Sequence, residues 1–179
     1  MSASGDPGRA RGSWGWHRLA DEWAARIVAE AGVRPGELVL DLGAGEGALT
    51  APLIRAGARV VAVELHPGRA ARLRHRFSDV TVVHADAASL RLPSRPFRVV
   101  ASPPYGITAS LLGPLLAPGT RLIAADLVLQ RAVVRKYASG SGAARRARTF
   151  RVTAGLALPR RAFRPPPQVD SAVLVIRRR

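Results

Sequence analysis

The sequence predicts an α/β fold, Rossmann-like, with a mostly parallel seven-stranded sheet that ends in an antiparallel hairpin. Three observations support this prediction. Short runs of β-branched and aliphatic residues alternate with amphipathic stretches of helical periodicity, which is typical of βαβ units. A glycine-rich turn, GAGEG, follows the first apolar run. Acidic residues stand at the ends of three successive runs, where parallel sheets bind their ligands.

The first half of the chain contains three predicted strands, preceded by one helix. Apolar residues at helical spacing predict a helix over 16–33, and Gly32 suits its C-terminal cap. The elements that follow are strands at 38–42, 59–65 and 80–86 and helices at 48–57 and 67–77.

The second half supplies the remaining strands. It continues with strands at 97–102 and 121–129 and a helix at about 107–116 between them. Residues 130–148 begin as a helix and become a small basic loop. Strands at 150–158 and 169–176 form the predicted hairpin. We expect a mobile arm over 1–13 and a single domain over 14–179, with no second domain.

Composition excludes several classes of protein. The 179 residues include no cysteine, which excludes disulfide scaffolds, cysteine-ligated metals and a cysteine nucleophile. The four histidines show no metal-ligand spacing, so no metal site is expected. No apolar run approaches 18 residues, and the N-terminus lacks the apolar core of a secretory signal. We therefore expect a cytoplasmic protein that does not enter a membrane.

Positive charge is the strongest compositional signal. The formal net charge is +16, and the segment 131–179 carries 13 basic residues against one acid, Asp170. Arginine pairs bidentately with phosphate, and charge concentrated on one segment is typical of nucleic-acid binders. Solvation of an exposed surface is the alternative explanation.

The turn VLDLGAGEG carries the first candidate site. Gly43, Gly45 and Gly47 lie between a strand and a helix, where the backbone approaches a ligand closely. Their G-x-G-x-G spacing differs from the G-x-G-x-x-G of dinucleotide sites. Asp41, at the end of the strand, would repel a pyrophosphate and favour a cation.

Two further acids extend this site along the edge of the sheet. Glu64, followed by Leu65, is placed to bind both hydroxyls of a ribose. Asp86, or the amide of the neighbouring Ala87, is placed to bind an adenine amino group. Each acid could instead cap a helix. Together with the glycines they predict a site for S-adenosylmethionine, which has a ribose, an adenine and a cationic end.

The tetrapeptide SPPY ends the fourth strand and carries the second candidate site. Prolines donate no N–H and fix φ, so the carbonyls of Ser102 and Pro103 can be aimed rigidly by Pro104. Tyr105 can lie flat against a base. These groups suit methylation of an exocyclic amine on a base flipped out of its stack. A structural turn is the alternative.

Five segments in order resemble the Erm rRNA adenine N6-methyltransferases and their KsgA/Dim1 relatives. The segments are DLGAGEGALT, VVAVELHP, VVHADAASL, VVASPPYGI and FRPPPQVDSAVL, and the likeness covers about 14–177. The resemblance implies a class I S-adenosylmethionine-dependent fold and methyl transfer to one adenine of 23S rRNA. That reaction confers macrolide, lincosamide and streptogramin B resistance. The chain looks most like the short mycobacterial members, which lack a C-terminal helical domain.

The resemblance also assigns roles to residues. Gly43, Glu64, Asp86 and Ser102 match cofactor-contacting positions, and Tyr105 matches the aromatic that stacks on the adenine. His17 and Leu19 match the second and last residues of the family's Q-N-F-L segment, which reads W-H-R-L here. The family usually has asparagine where this chain has Ser102, so one hydrogen bond to the target amine is lost.

Basic residues outside the site complete the prediction. The candidates for phosphate contacts are Arg135, Lys136, Arg145, Arg146, Arg148, Arg177, Arg178 and Arg179. We expect a monomer that adds mainly one methyl group to 23S rRNA. A DNA or protein amine methyltransferase is a competing hypothesis, as is a catalytically silent nucleic-acid-binding protein on the same scaffold.

Overall fold

The computed structural model describes residues 16–141 and 148–179. It contains five α-helices in these ranges: α1 (Asp21–Ala31), α2 (Thr50–Arg55), α3 (Pro67–Arg76), α4 (Thr108–Leu115) and α5 (Arg131–Ala138). The strands are β1 (Arg18–Leu19), β2 (Leu38–Leu42), β3 (Arg59–Glu64), β4 (Thr81–His84), β5 (Phe97–Ala101), β6 (Leu122–Gln130), β7 (Phe150–Leu158), β8 (Phe163–Arg164) and β9 (Ser171–Arg178).

Seven strands form one sheet in the order β4-β3-β2-β5-β6-β9-β7. Neighbours from β4 to β6 pair in parallel, whereas β9 is antiparallel to both β6 and β7. This confirms the predicted mostly parallel sheet with a terminal hairpin. Strands β1 and β8 form a separate antiparallel pair.

Apolar side chains are buried on both faces of the sheet. On β5, Val99 packs in the cluster that contains Leu112 of α4, whereas the adjacent Val100 packs in the cluster that contains Ile27 of α1 and Leu53 of α2. Successive strand residues point to opposite faces, so both faces need a helical cover. This explains why the strands read as continuous apolar runs.

The start of the chain corrects one prediction. The helix expected over 16–33 begins only at Asp21, because residues 18–19 pair with β8 and the Ala20 amide donates to the Ala162 carbonyl at 2.8 Å. The C-terminal end is as predicted: Gly32 adopts the left-handed conformation, with φ of 62°. The pairing partner of 18–19 lies nearly the whole chain away, so local periodicity does not reveal it.

The two edges of the sheet differ in what they carry. Strands β2 to β6 all end at one edge, called here the carboxyl edge. Because Ser171 pairs with Gln130, the connection 159–170 also lies at this edge. Arg178 pairs with Phe150, so the end of β9 lies at the opposite, amino edge.

Within the described ranges, no helix has the length and apolarity needed to cross a bilayer. The same residues contain no cluster of three or more side chains able to ligate a metal ion.

Candidate cofactor and substrate site

A cavity of about 460 Å³ opens at the carboxyl edge of the sheet. Residues predicted from the sequence make up much of its wall: His17, Gly43, Glu64, Leu65, Asp86, Ala87, Ser102, Pro103, Pro104 and Tyr105. A small pocket of about 30 Å³ beside the glycine turn is lined by Leu19, Asp41 and Gly45, together with residues of the larger cavity. The fold therefore gathers the ends of β2, β3, β4 and β5 around one space.

The glycine turn serves two purposes. A Cβ atom on Gly43 would stand 3.1 Å from Pro104 Cδ, and one on Gly45 would stand 2.9 Å from the indole nitrogen of Trp16. These glycines let the turn approach the cavity walls. A Cβ on Gly47 would stand 2.5 Å from the ring of Phe77, and Gly47 lines neither pocket. In the structure Gly47 permits close packing against α3, and the cofactor role expected for it stays a prediction.

Glu64 is buried and held by three donors. Its Oε1 accepts hydrogen bonds from the His66 amide at 2.8 Å and from Arg69 Nε at 3.2 Å. Its Oε2 accepts from the Gly45 amide at 2.8 Å. The two amides fix the carboxylate at the cavity wall, as binding of a ribose requires.

Asp86 and Asp41 have partners within the fold. Asp86 Oδ1 accepts from the Ala88 amide at 2.9 Å, so the capping role left open by the sequence is real, although Asp86 also lines the cavity. Asp41 is almost fully buried and accepts from the Thr50 hydroxyl at 2.7 Å. Burial raises the pKa of Asp41 to about 7; the Thr50 bond opposes this shift and the charge of Glu64 adds to it.

The SPPY turn places an aromatic ring against the cavity. The Tyr105 hydroxyl shares a hydrogen bond with the Ser171 hydroxyl at 2.5 Å, and burial raises the pKa of Tyr105. His17 lies with its ring centroid 6.2 Å from that of Tyr105. Its Nδ1 stands 2.7 Å from the Pro165 carbonyl oxygen, which only accepts, so Nδ1 carries the proton.

The family model for ribosomal RNA adenine dimethylase matches residues 9–179. The chain belongs to this family. It is 38% identical to the ribosomal RNA small subunit methyltransferase A of Thermosynechococcus vestitus, over 94% of this chain and 70% of that protein. It is also 38% identical to the mycinamicin-resistance protein MyrB of Micromonospora griseorubida, over 87% of this chain and 50% of that protein.

A solved structure gives the same result. The crystal structure of the 23S rRNA methyltransferase ErmE superposes with a TM-score of 0.81 at 34% identity, covering 90% of this chain and 69% of that one. The chain thus spans from half to about 70% of the length of these relatives. The resemblance to the Erm and KsgA families is confirmed, as is the class I methyltransferase fold.

S-adenosylmethionine is the cofactor of this family and fold. The residues present fit it. The amide-held carboxylate of Glu64 can accept from two ribose hydroxyls, and Asp86 with Ala87 forms the wall expected to face an adenine. Asp41 is not part of the wall of the 460 Å³ cavity and instead lines the small pocket beside the glycine turn.

Three residues of the cavity wall were not assigned a role from the sequence. Trp16 and Arg69 line the cavity next to Glu64, and the buried Phe163 is also part of its wall. Phe163 lies within the segment FRPPPQVDSAVL that carried the resemblance. Arg69 lies five residues after Glu64, on the next helix, and this spacing alone does not indicate a role in the site.

Two of the last three arginines, which were predicted to contact phosphates, form hydrogen bonds within the protein instead. Arg177 binds Asp126 with two hydrogen bonds of 2.8 and 2.9 Å. Burial raises the pKa of the Asp126 carboxyl, and the bonds and charge of Arg177 oppose that shift. Arg178 donates to the carbonyls of Leu122 at 2.7 Å and Thr120 at 2.6 Å. Both guanidinium groups are engaged by the protein, and neither arginine lines the cavity.

The other predicted phosphate contacts have different surroundings. Arg135 and Lys136 are exposed on α5, and Arg148 and Arg179 are exposed near the amino edge. Arg145 and Arg146 lie outside the described residues. The carboxyl edge carries arginines that the sequence did not single out. Their side chains are exposed and have no hydrogen-bond or ion-pair partner among the described residues: Arg131, Arg160, Arg161 and Arg164.

Proposed function

We propose that this protein transfers a methyl group from S-adenosylmethionine to N6 of an adenine in 23S rRNA and thereby confers macrolide, lincosamide and streptogramin B resistance. One observation carries the proposal: the SPPY turn and the amide-held Glu64 face the same 460 Å³ cavity. This arrangement supports a cofactor on the Glu64 side and a flipped base on the Tyr105 side. We further propose that the protein acts as a monomer in the cytoplasm, where its RNA substrate is made.

The protein's own groups would position the target rather than activate it strongly. When bound, S-adenosylmethionine supplies a methyl carbon attached to a positively charged sulfur. The carbonyl oxygens of Ser102 and Pro103 would accept hydrogen bonds from the two N–H groups of the target amine. These bonds would localise the lone pair of the amine nitrogen and direct it toward that carbon. Tyr105 holds the plane of the base. Orientation of this kind supplies most of the rate when the nucleophile is neutral.

The proposal of 23S rRNA over 16S rRNA draws on MyrB and ErmE. The relatives named small subunit methyltransferase A, at up to 38% identity, favour the second candidate, adenine methylation in 16S rRNA. Mapping of methylated adenines in both rRNAs, from cells with and without the gene, tests the two together. We expect a new N6-methyladenine in 23S rRNA and a raised inhibitory concentration of erythromycin. A modification confined to 16S rRNA would establish the second candidate.

We propose that monomethyladenine is the main product, because Ser102 replaces the asparagine usual in the family and offers the amine one fewer acceptor. Dimethyladenine as the dominant product in the same mapping would contradict this.

RNA contacts at the carboxyl edge support the same function. Exposed Arg160 and Arg161 lie on the connection at the carboxyl edge, shortly before Phe163 of the cavity wall, so they are better placed than Arg177 or Arg178 to bind phosphates around a flipped adenine. Arg131, Arg135, Lys136 and Arg148 are further exposed candidates. Each neutralised phosphate steepens the salt dependence of binding.

The variant Arg160→Ala/Arg161→Ala should make the slope of log affinity against log salt shallower by about 1.5. The measurement is titration of a 23S rRNA fragment spanning the peptidyl-transferase region, at several salt concentrations. Arg95→Ala/Arg121→Ala is the matched control, because it removes two exposed arginines at the amino edge. Equal slopes for the two double variants would show that only net charge matters.

A further inference from the structure

Glu64 accepts more hydrogen bonds from the protein than it can keep when a ribose binds. A carboxylate oxygen accepts about two hydrogen bonds. Oε1 already accepts from the His66 amide and from Arg69 Nε, while Oε2 accepts from the Gly45 amide. Two ribose hydroxyls need one acceptor position on each oxygen. One of the present donors must therefore leave Oε1 when a ribose binds.

Only one of these donors is able to move. The amides of Gly45 and His66 belong to the backbone: the first lies in the glycine turn, and the second is the residue that caps α3. Arg69 reaches Oε1 with a flexible side chain that is 23% exposed, through one bond of 3.2 Å. One bond of this length holds the guanidinium less firmly than a bidentate pair would.

Trp16 gives the departing guanidinium a second partner. The Arg69 guanidinium carbon lies 5.0 Å from the centre of the Trp16 ring, within the range of a cation–π interaction. The indole nitrogen of Trp16 approaches Gly45, the residue that also donates to Glu64. Trp16, Arg69 and Glu64 thus form one contiguous wall of the cavity.

We propose that Arg69 competes with the cofactor ribose for Glu64, and that Trp16 holds the Arg69 guanidinium when the ribose displaces it. Arg69 is a positioning residue that sets cofactor affinity. The inference rests on the S-adenosylmethionine dependence of the proposed function and adds two residues to the site.

Direct binding of S-adenosylhomocysteine tests this proposal without RNA or turnover. This ligand carries the ribose but no net charge, so removal of a positive side chain has little long-range effect on it. Arg69→Ala should bind it about fivefold more tightly in calorimetric titration. Arg72→Ala is the matched control: it removes an arginine from the same helix whose partner is Glu46, at 3.9 Å. Unchanged or weaker binding by Arg69→Ala, relative to Arg72→Ala, would overturn the competition.

A ligand without the hydroxyls identifies the point of competition. The 2′,3′-dideoxy analogue of S-adenosylhomocysteine should bind the unmodified protein and Arg69→Ala with equal affinity. A fivefold gain with the analogue too would show that Arg69 opposes another part of the ligand. No binding of S-adenosylhomocysteine to the unmodified protein would contradict the proposed function itself, whereas equal binding by all variants would contradict only this inference.

Trp16 is tested by a double-mutant cycle. Trp16→Ala should weaken binding about threefold when Arg69 is present, because the guanidinium then has Glu64 as its remaining partner. In the Arg69→Ala background the same change should have a smaller effect. Equal effects in both backgrounds would show that Trp16 contacts the ligand independently of Arg69.

Discussion

The sheet carries two buried acids that each pair with an arginine, Asp126 in the middle of β6 and Glu64 at the carboxyl edge, and the two pairs are built differently. On β6, Asp126 accepts from both terminal nitrogens of Arg177, at 2.8 and 2.9 Å, and Arg177 also donates to the Ala125 and Ile176 carbonyls. At the carboxyl edge, Arg69 touches Glu64 through one bond of 3.2 Å. The bidentate pair completes the fold, whereas the single bond leaves its carboxylate accessible to another partner.

The same contrast applies to the net charge. Arginines at the amino edge such as Arg177 and Arg178 count toward the +16 of the chain, yet the protein uses their donors itself. Arg160 and Arg161 at the carboxyl edge contribute equally to the total and have no partner among the described residues. Position in the fold, rather than charge in the sequence, decides which arginines are available to a polyanion.

The largest effect should come from the ring at the carboxyl edge. Tyr105→Ala should lower kcat at least about 1,000-fold, because the base loses both its stacking partner and its orientation. Tyr105→Phe keeps the ring and loses only the bond to Ser171, so it should retain activity within about fivefold. Methyl transfer from labelled S-adenosylmethionine to 23S rRNA measures both variants. A comparable loss of kcat in the two variants would show that the hydroxyl of Tyr105, rather than its ring, is required.

Asp41 should make stability depend on pH. Its carboxyl group has a pKa of about 7 in the fold and about 3.8 when unfolded, so the folded state retains a proton that the unfolded state releases. The free energy of unfolding should therefore fall as pH rises from about 4 to 7, by at most about 4 kcal/mol, and then level off. Below pH 4 Asp41 is protonated in both the folded and the unfolded protein, so it no longer lowers the free energy of unfolding.

Urea unfolding of Asp41→Asn between pH 5 and 8 checks this dependence. The variant keeps an acceptor for Thr50 and should gain stability over the unmodified protein as pH rises. Asp79→Asn, which changes an exposed acid, is the control and should leave the pH profile unaltered. A constant difference between Asp41→Asn and the unmodified protein would argue that Asp41 does not titrate in this range.

Loss of the bidentate Arg177–Asp126 pair should lower the free energy of unfolding somewhat less than the ionisation of Asp41 does. Arg177→Ala leaves Asp126 buried without its cation and should lower the free energy of unfolding by about 3 kcal/mol. Thermal and urea unfolding measure this change. S-adenosylhomocysteine affinity of the folded variant should be unchanged, because neither residue of the pair lines the cavity. Weaker S-adenosylhomocysteine binding without loss of stability would contradict this division between the two pairs.

Local patterns in the sequence predicted most of the fold and much of the cavity. Strand ends bearing Glu64, Asp86 and Ser102 converge because parallel strands share one edge, and this follows from the order of elements alone. The short strand at 18–19 was missed because its partner is at 163–164. The engagement of Arg177 with Asp126 was missed for the same reason: only tertiary structure brings them together.

The pairing of β1 with β8 has a consequence for translation. Leu19 is paired with Phe163, His17 with the Pro165 carbonyl, and Tyr105 with Ser171. A ribosome must therefore synthesise the chain at least as far as Ser171 before these walls of the cavity can close. Until then the nascent polypeptide lacks a complete cavity.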